Sequence, residues 1–378
     1  MSAYETNLVT KPYVFVPILK AERKTAPGKR KILTQGETGS LCIQMEVLTP
    51  LHIHGGGVQL WSEEFVATFY RMNGQCCVPG SSVRGLLRSI YESITKSCVT
   101  AYPMVAGRPH PAMPYSNSSC RKEQLCPACT LFGAPLRQGK LQCGYFTIKN
   151  NMQTTVENRP SLHAPFQTYR QKPGMGNERL YYGALPGLSG VEVARLGKEE
   201  FWKRKNQDQI CENQEDGKPV NANKLSRNGM FNGRKIYKHS DKKWQDISAF
   251  YEGADLKMEC LAVGTILEGY LRYQGLSKQE LGALLFALGM DTRKNFYHSL
   301  GYAKPAYFGL VKLTASQETG NERYEQPGRS EEELHRMAIE YYEENKEELR
   351  PIVRVLTRAW GVYAAGGIVQ SEGQQYHY

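Results

Sequence analysis

The chain has 378 residues, 40% of them hydrophobic, and its 48 lysines and arginines exceed its 37 acidic residues to give a formal charge of +11. This length predicts one large domain or two of ordinary size, and the basic excess favours a polyanionic partner such as nucleic acid. The sequence contains no apolar stretch that approaches the ~20 residues of a membrane helix. The N-terminus does not resemble a signal peptide, so the ten cysteines are expected to be reduced thiols in the cytoplasm.

In the first half of the chain, a basic, turn-rich arm precedes the first clear elements. Residues 41–47 alternate apolar and polar side chains, as a half-buried strand does. The three glycines at 55–57 are predicted to break this strand region. The segment VPGSSVRGLLR predicts a helix whose N-terminus is capped by Ser81 or Ser82. Another strand is predicted within residues 139–150.

In the second half, a long segment of poor periodicity separates this part from further regular structure. One or two strands are predicted within residues 251–276, and Ser277 with Glu280 forms a capping box for a helix that Gly289 ends. A glycine-bounded loop then leads into a strand. A second capping box, Ser330 to Glu333, opens an acidic helix, and Pro351 is predicted to start a further helical piece.

This order of elements predicts an α+β fold, with a ferredoxin-like, RRM-related βαββαβ core interrupted by a large central insertion. The predicted division has five parts: an N-terminal strand and basic arm (1–40), the first half of the core with a cysteine knuckle (41–149), the insertion (150–245), the second half of the core (246–315) and a C-terminal helical extension (316–378).

The stretch CPACTLFG predicts a metal site, because two thiolates two residues apart can bind one ion and a structural zinc takes four ligands. The candidate ligands are Cys98, Cys120, Cys126 and Cys129, with His110 as an alternative fourth ligand. Buried free thiols are a second interpretation. A redox pair would require a helix start after a strand, which Leu125 and Thr130 do not indicate.

The predicted helix start is a candidate phosphate site. Serine hydroxyls and open backbone amides suit an anion there, and arginines add donors, so the candidate ligands are Ser81, Ser82, Arg84 and Arg88. The alternative is an ordinary cap with two solvated arginines.

Two further segments mix cations with aromatic rings that stack on bases. The candidates are Tyr302 and Lys304 in the glycine-bounded loop, and Arg234 and Lys235 in NGRKIYKHS. Rings that pack inward would explain the same pattern.

The histidines His52 and His54 would share one face of a strand. They are candidates for RNA contact or for an acid–base pair in RNA cleavage, although histidines in such positions are more often solvated or hydrogen-bonded.

Five segments resemble, in order, the signatures of the RAMP superfamily of CRISPR-associated RNA-binding proteins. They span about residues 41–315 and are LTPLHIHGGG, VPGSSVRGLLRSIYE, CPACTLFG, GRKIYKH and LGYAKPAYFGLVKL. The pattern is most similar to the Cas-seven-type backbone subunits of type III effector complexes, especially the D-subtype branch, and the type VII complexes are the alternative.

The resemblance implies a part in an antiviral ribonucleoprotein. Copies of the subunit would stack along a guide RNA (crRNA) beside other effector subunits and position a complementary target RNA. The helix start and the loop Gly301–Gly309 would hold guide phosphates, a thumb within 150–245 would kink the guide, and the cysteines would bind a structural Zn²⁺.

One departure concerns cleavage. Target-slicing relatives carry an aspartate between the first strand and the PGSS helix, whereas the acids of this chain there are Glu63 and Glu64. An RNA-binding scaffold is therefore expected. The alternatives are a metal-dependent endoribonuclease that acts through Glu64 or Glu63, and a zinc-stabilised RNA-binding protein outside CRISPR.

Overall fold

The structure is a computed structural model. It describes residues 13–25, 36–100, 104–105, 108–109, 120, 124–135, 137–160, 211–212, 219–220, 234–237, 239, 256–294, 297–319 and 328–360.

The strands, in chain order, are β1 (Tyr13–Val16), β2 (Lys24–Thr25), β3 (Glu37–Val47), β4 (His54–Trp61), β5 (Glu64–Phe69), β6 (Arg71–Met72), β7 (Gln75–Val78), β8 (Met104–Val105), β9 (Arg108–Pro109), β10 (Gln124–Leu125), β11 (Leu141–Cys143), β12 (Phe146–Ile148), β13 (Thr154–Asn158), β14 (Cys211–Glu212), β15 (Pro219–Val220), β16 (Arg234–Tyr237), β17 (Lys257–Leu261), β18 (Ile266–Leu276), β19 (His298–Ser299) and β20 (Leu310–Thr319). The helices are α1 (Gly80–Ile94), α2 (Pro127–Phe132), α3 (Lys278–Ala287), α4 (Glu331–Glu344) and α5 (Lys346–Trp360), and a 3₁₀ turn covers Lys304–Ala306.

The local signals at two helix starts are confirmed. Ser277 caps α3 and Ser330 caps α4, each in a reciprocal capping box with the glutamate three residues later. The prediction for Pro351 is wrong, because this proline lies inside α5. The buried side chains of Leu349, Ile352 and others continue one apolar stripe past the exposed proline, and their burial outweighs the backbone hydrogen bond that a proline removes.

The main sheet is antiparallel and runs in the order β19-β20-β3-β18-β12-β7-β6, with β11 also paired to β18. Helix α1 lies in the chain between β3 and β12, and α3 lies between β18 and β20. The fold is thus mixed α+β, as predicted.

The core lies between this sheet and a layer of helices. Alternate residues of β3, namely Leu41, Ile43 and Met45, are fully buried, which confirms the predicted alternation. Leu334 and Ala338 of α4 belong to the same core, since α4 packs along α3. The C-terminal helices therefore complete the core.

A second sheet has the strand order β13-β17-β5-β4. It contains the β4–β5 hairpin, which was not predicted from the sequence. The glycines at 55–57 lie within β4, where the register shifts between His54 and Val58. Glycine inside a strand often marks such a bulge. A tight turn at Ser62 and Glu63, both with positive φ, joins β4 to β5.

The predicted five-part division remains a prediction. Strands β3 and β20 run across two of its boundaries, at residues 40/41 and 315/316. The insertion of residues 150–245, with the expected thumb, lies largely outside the described residues. Among the described helices, none has the length and apolar character of a membrane span.

Candidate metal centre and nucleic-acid interface

The four predicted cysteine ligands come together. Their sulfurs all lie within 4.8 Å of one another, and all four residues are buried. The sulfur of Cys98 is 3.5 Å from those of Cys126 and Cys129. Four thiolates about 2.3 Å from a tetrahedral zinc would stand about 3.8 Å apart, so the cluster has the size and chemistry of a closed structural site.

Three separate segments supply these sulfurs. Cys98 follows the end of α1, Cys120 lies in the connecting segment, and Cys126 is the N-cap of α2, where its sulfur accepts a hydrogen bond from the Cys129 amide at 3.4 Å. His110, the alternative ligand, lies outside the described residues.

The prediction that this motif does not lie at a helix start after a strand is wrong, because Cys126 is the N-cap of α2 and follows the short strand β10. The motif is nevertheless surrounded by two further cysteines. Four buried sulfurs in mutual contact fit a metal ion better than a two-thiol redox centre.

The four cysteines shift one another's pKa values because they lie in hydrogen-bonding contact. Hydrogen bonding from Cys120 raises the pKa of Cys98, and hydrogen bonding with Cys126 lowers the pKa of Cys120. Arg88 adds a positive charge, because its guanidinium lies 3.3 Å from the Cys129 sulfur and donates to the Gly133 carbonyl at 3.0 Å. The positive charge of Arg88 stabilises a thiolate at Cys129, and the thiolate is the form of cysteine that binds metal.

A buried acid, Glu92, anchors this arginine and was missed in the sequence. Its carboxylate accepts from Arg88 at 2.7 Å and also pairs with Arg234 of β16. It accepts in addition from the hydroxyl of Thr100, at 2.7 Å. The sequence did contain one local indication of the Arg88–Glu92 ion pair, because the two residues lie four positions apart on one predicted helix.

The start of α1 is open to solvent. Ser81 is exposed and Ser82 is half-buried. The prediction that a serine caps this helix is wrong: the N-cap is Pro79, which provides no side-chain hydrogen bond to the first turn. Arg84 is half-buried and donates one guanidinium nitrogen to the Phe132 carbonyl.

The glycine-bounded loop holds its two candidate residues in different ways. The guanidinium of Arg159 lies 5.0 Å from the centre of the Tyr302 ring. The ammonium of Lys304 donates to the Gly301 carbonyl at 2.6 Å, and burial lowers its pKa. Ala303 and Tyr307 adopt positive φ on either side of the 3₁₀ turn, so the loop is a constrained one.

The two histidines have different surroundings, although their ring centres are 6.0 Å apart. His52 is buried, its Nδ1 is 2.7 Å from the Glu259 carbonyl, and burial lowers its pKa, so it is neutral near pH 7. His54 is exposed at the start of β4. The pair therefore offers one solvent-facing imidazole.

Glu259 is the second buried acid that the sequence did not reveal. Its carboxylate forms a two-point contact with Arg71, at 2.5 and 2.7 Å, and accepts from the Phe69 amide at 2.8 Å. This contact connects β17 to the end of β5 and to β6. The only available signal was a charged residue inside an apolar strand.

The remaining candidates lie apart from the helix start. Glu63 and Glu64 are exposed at the β4–β5 turn, where Glu64 lies 3.4 Å from Lys257. Arg234 is buried against Glu92, and the Lys235 side chain lies outside the described part.

The RAMP superfamily model matches residues 44–312, which is well over half of the chain. The chain belongs to the RAMP superfamily. This RAMP protein is accordingly a CRISPR-associated, RNA-binding subunit in the general sense of that family. The matched segment contains the cysteine cluster, the α1 start and the glycine-bounded loop. No curated protein matches the chain.

Proposed function

We propose that this RAMP protein is a backbone subunit of a type III, D-like, or type VII CRISPR effector complex, which binds guide RNA along its phosphates and positions target RNA. The observation that carries the proposal is an exposed helix start at Ser81, within a chain whose family binds RNA. Copies of the chain and other effector subunits would assemble on the same guide.

The order of strands supports a ferredoxin-like core. In chain order, β3 precedes α1 and β12, and β18 precedes α3 and β20, with shorter elements and the second-sheet hairpin inserted between them. These four strands lie side by side as β20-β3-β18-β12, all antiparallel. This strand order supports a βαββαβ unit in which the fourth strand pairs with the first, the pattern of a ferredoxin-like core.

The open end of α1 supports phosphate binding. Backbone amides at a helix N-terminus carry partial positive charge, and no acidic residue occupies the first turn of α1 to neutralise it. Ser81 and Ser82 add hydroxyl donors, and Arg84 has further guanidinium nitrogens beyond the one that contacts Phe132. Arg88 and Arg234, by contrast, are engaged by Glu92, so we assign them to support of the helix.

The four cysteines would hold a structural Zn²⁺ that fixes α2 against the end of α1. Zinc would supply no reaction there, because a site closed by four thiolates leaves no position for water or substrate. Its part would be to keep the Phe132 and Gly133 carbonyls where Arg84 and Arg88 reach them.

The glycine-bounded loop would form a second contact with guide RNA. Lys304 is half-buried as a residue, and its ammonium has donors beyond the one that contacts Gly301; Tyr302 lies two residues away in the same loop. His54 stands near this loop, since His52 lies against Tyr302. A thumb within residues 150–245 would kink the guide RNA.

The test is a change of charge at the helix start. Ser81→Asp should leave α1 intact, because an acid stabilises a helix N-terminus, yet it should repel RNA phosphate. We expect about a tenfold loss in affinity for single-stranded RNA in a fluorescence-anisotropy titration. Arg350→Gln is the control, because it lowers net charge by the same amount at an exposed site on α5.

Equal affinities for the two variants would contradict the proposed site. A second experiment incubates the assembled complex with labelled complementary RNA and tests whether that RNA is cleaved. Regular cuts that disappear with Glu64→Ala would instead favour the slicing alternative.

A further inference from the structure

Three tyrosines form a row on the face of the main sheet opposite the helices. Tyr270 lies on β18, Tyr145 directly precedes β12, and Tyr70 lies between β5 and β6. Tyr270 and Tyr145 are 48% and 46% exposed. The Tyr70 and Tyr145 rings are parallel within 10°, with centres 6.4 Å apart.

The strand register places these side chains on one face. Thr147 of β12 pairs with Glu268 of β18, and extension of this register by two residues brings Tyr145 opposite Tyr270, where the Gly144 amide also donates to the Tyr270 carbonyl at 2.9 Å. Side chains alternate across a strand, so Phe146 and Leu271, the neighbours of the two tyrosines, point to the core and are fully buried. Tyr145 and Tyr270 lie outside that core, whereas Tyr70 is half-buried and packs against it.

The surroundings of the row suit a polyanion. Arg272, two residues from Tyr270 on β18, is exposed and forms no ion pair within the part of the chain that the structure describes. Lys149 lies 3.3 Å from Glu268, so the acid closest to the row in sequence is already paired with a cation.

The row also adjoins the proposed phosphate site. Gly80 begins α1, and a β-carbon at this position would overlap the carbonyl oxygens of Cys143 and Gly144. The helix start and the residues just before Tyr145 are therefore in backbone contact. An RNA strand whose phosphates lie at Ser81 would pass close to the backbone that carries Tyr145.

We propose that Tyr70, Tyr145 and Tyr270 form a stacking platform for the bases of single-stranded RNA. The proposal rests on the proposed function, because the phosphates of the same strand would lie at the α1 start. Exposed flat rings offer stacking to any base, and their hydroxyls can contact base edges. RNA explains the unpaired cation of Arg272 beside the rings, which a protein partner of unspecified charge does not.

The test uses the full-length chain, freed of copurified nucleic acid, and a labelled single-stranded oligouridine. Tyr145→Leu and Tyr270→Leu should each weaken binding about 5- to 30-fold, and Tyr→Phe at either position should retain most of the affinity. The slope of affinity against salt should not change, because no phosphate contact is lost. Val263→Ala, at an exposed apolar residue in the β17–β18 turn, is the control.

An oligomer of the same length with abasic riboses separates stacking from backbone binding. The leucine variants should bind this probe as the wild type does, whereas Ser81→Asp should weaken binding to both probes. Leucine variants that bind oligouridine normally overturn the platform, while the Ser81→Asp result decides the proposed function separately. If those variants bind RNA normally but no longer assemble with further copies of the chain, the face is a protein interface and the platform is equally excluded.

Discussion

Cys98 belongs to the cysteine cluster although it lies 28 residues before Cys126. It comes directly after α1, whereas Cys126 and Cys129 lie at the start of α2. A metal ion bound by these sulfurs would join the end of one helix to the beginning of another. Binding free energy of this kind becomes folding free energy, because the unfolded chain has no such site.

Cys126→Ser should remove bound zinc and lower the free energy of unfolding by roughly 3 kcal/mol or more, because a ligand to a metal that contributes to folding is lost. Elemental analysis of the purified protein and a urea titration measure the two effects. Cys76→Ser, at a half-buried cysteine outside the cluster, should change neither. A Cys126→Ser protein with full metal content and an unchanged transition would leave the cluster as a set of free thiols.

At the scale of elements, α1 is fixed by a buried acid as well as by its apolar face. Glu92 connects Arg88 of the same helix with Arg234 of β16 and with Thr100 beyond the helix end. Folding thus withdraws the guanidinium groups of Arg88 and Arg234 and the carboxylate of Glu92 from water together. Loss of one member of such a buried group leaves the others without compensation.

Glu92→Gln should therefore lower the free energy of unfolding by roughly 3–5 kcal/mol, as removal of one partner of a buried ion pair does. Chemical unfolding followed by circular dichroism measures this change. Glu340→Gln, an exposed position on α4, should have an effect within about 0.5 kcal/mol. Similar transitions for both variants would show that the Glu92 contacts contribute little.

The elements that the sequence predicts are those with local signals. The capping boxes at Ser277 and Ser330 and the alternation in β3 depend on residues a few positions apart, and the structure confirms them. The β4–β5 hairpin and the position of Glu92 depend on distant partners, such as the pairing of β17 with β5. No local pattern specifies such contacts, so the second sheet and the support of Arg88 could not be predicted.

At the scale of the whole molecule, long-range contacts join the C-terminal helices to the sheet. Arg329, just before α4, contacts Glu37 of β3 at 2.5 Å and Glu318 of β20 at 2.9 Å. The Tyr341 hydroxyl donates to the Ile94 carbonyl at 2.9 Å. The cysteine cluster and the sheet are thereby connected through one continuous core.

Two buried histidines make this assembly sensitive to acid. Burial lowers the pKa of His298 to about 4 and that of His239 to about 3. Between these values and the ordinary 6.5, the unfolded chain binds more protons than the folded one. Their contribution to stability is therefore complete above pH 6.5 and is lost as the pH falls toward 4.

The free energy of unfolding should accordingly decrease between pH 6.5 and 4, with each histidine adding up to about 1.4 kcal/mol per pH unit. His298→Gln should reduce this slope, and urea titrations across the range measure it. His335→Gln, on the partly exposed face of α4, is the control. A slope that His298→Gln leaves unchanged would assign the acid sensitivity to other groups.

The close contact at Gly80 fixes the distance between the start of α1 and the main sheet. Because the first residue of α1 lies directly against the main chain at Cys143 and Gly144, no side chain separates the helix start from the sheet at this point. Substitutions on the surface can change how strongly a ligand is held there, but they cannot change the separation between the helix start and the sheet. The path of any strand that crosses this corner is thus determined by the backbone, and adding one methyl group at Gly80 would redirect it.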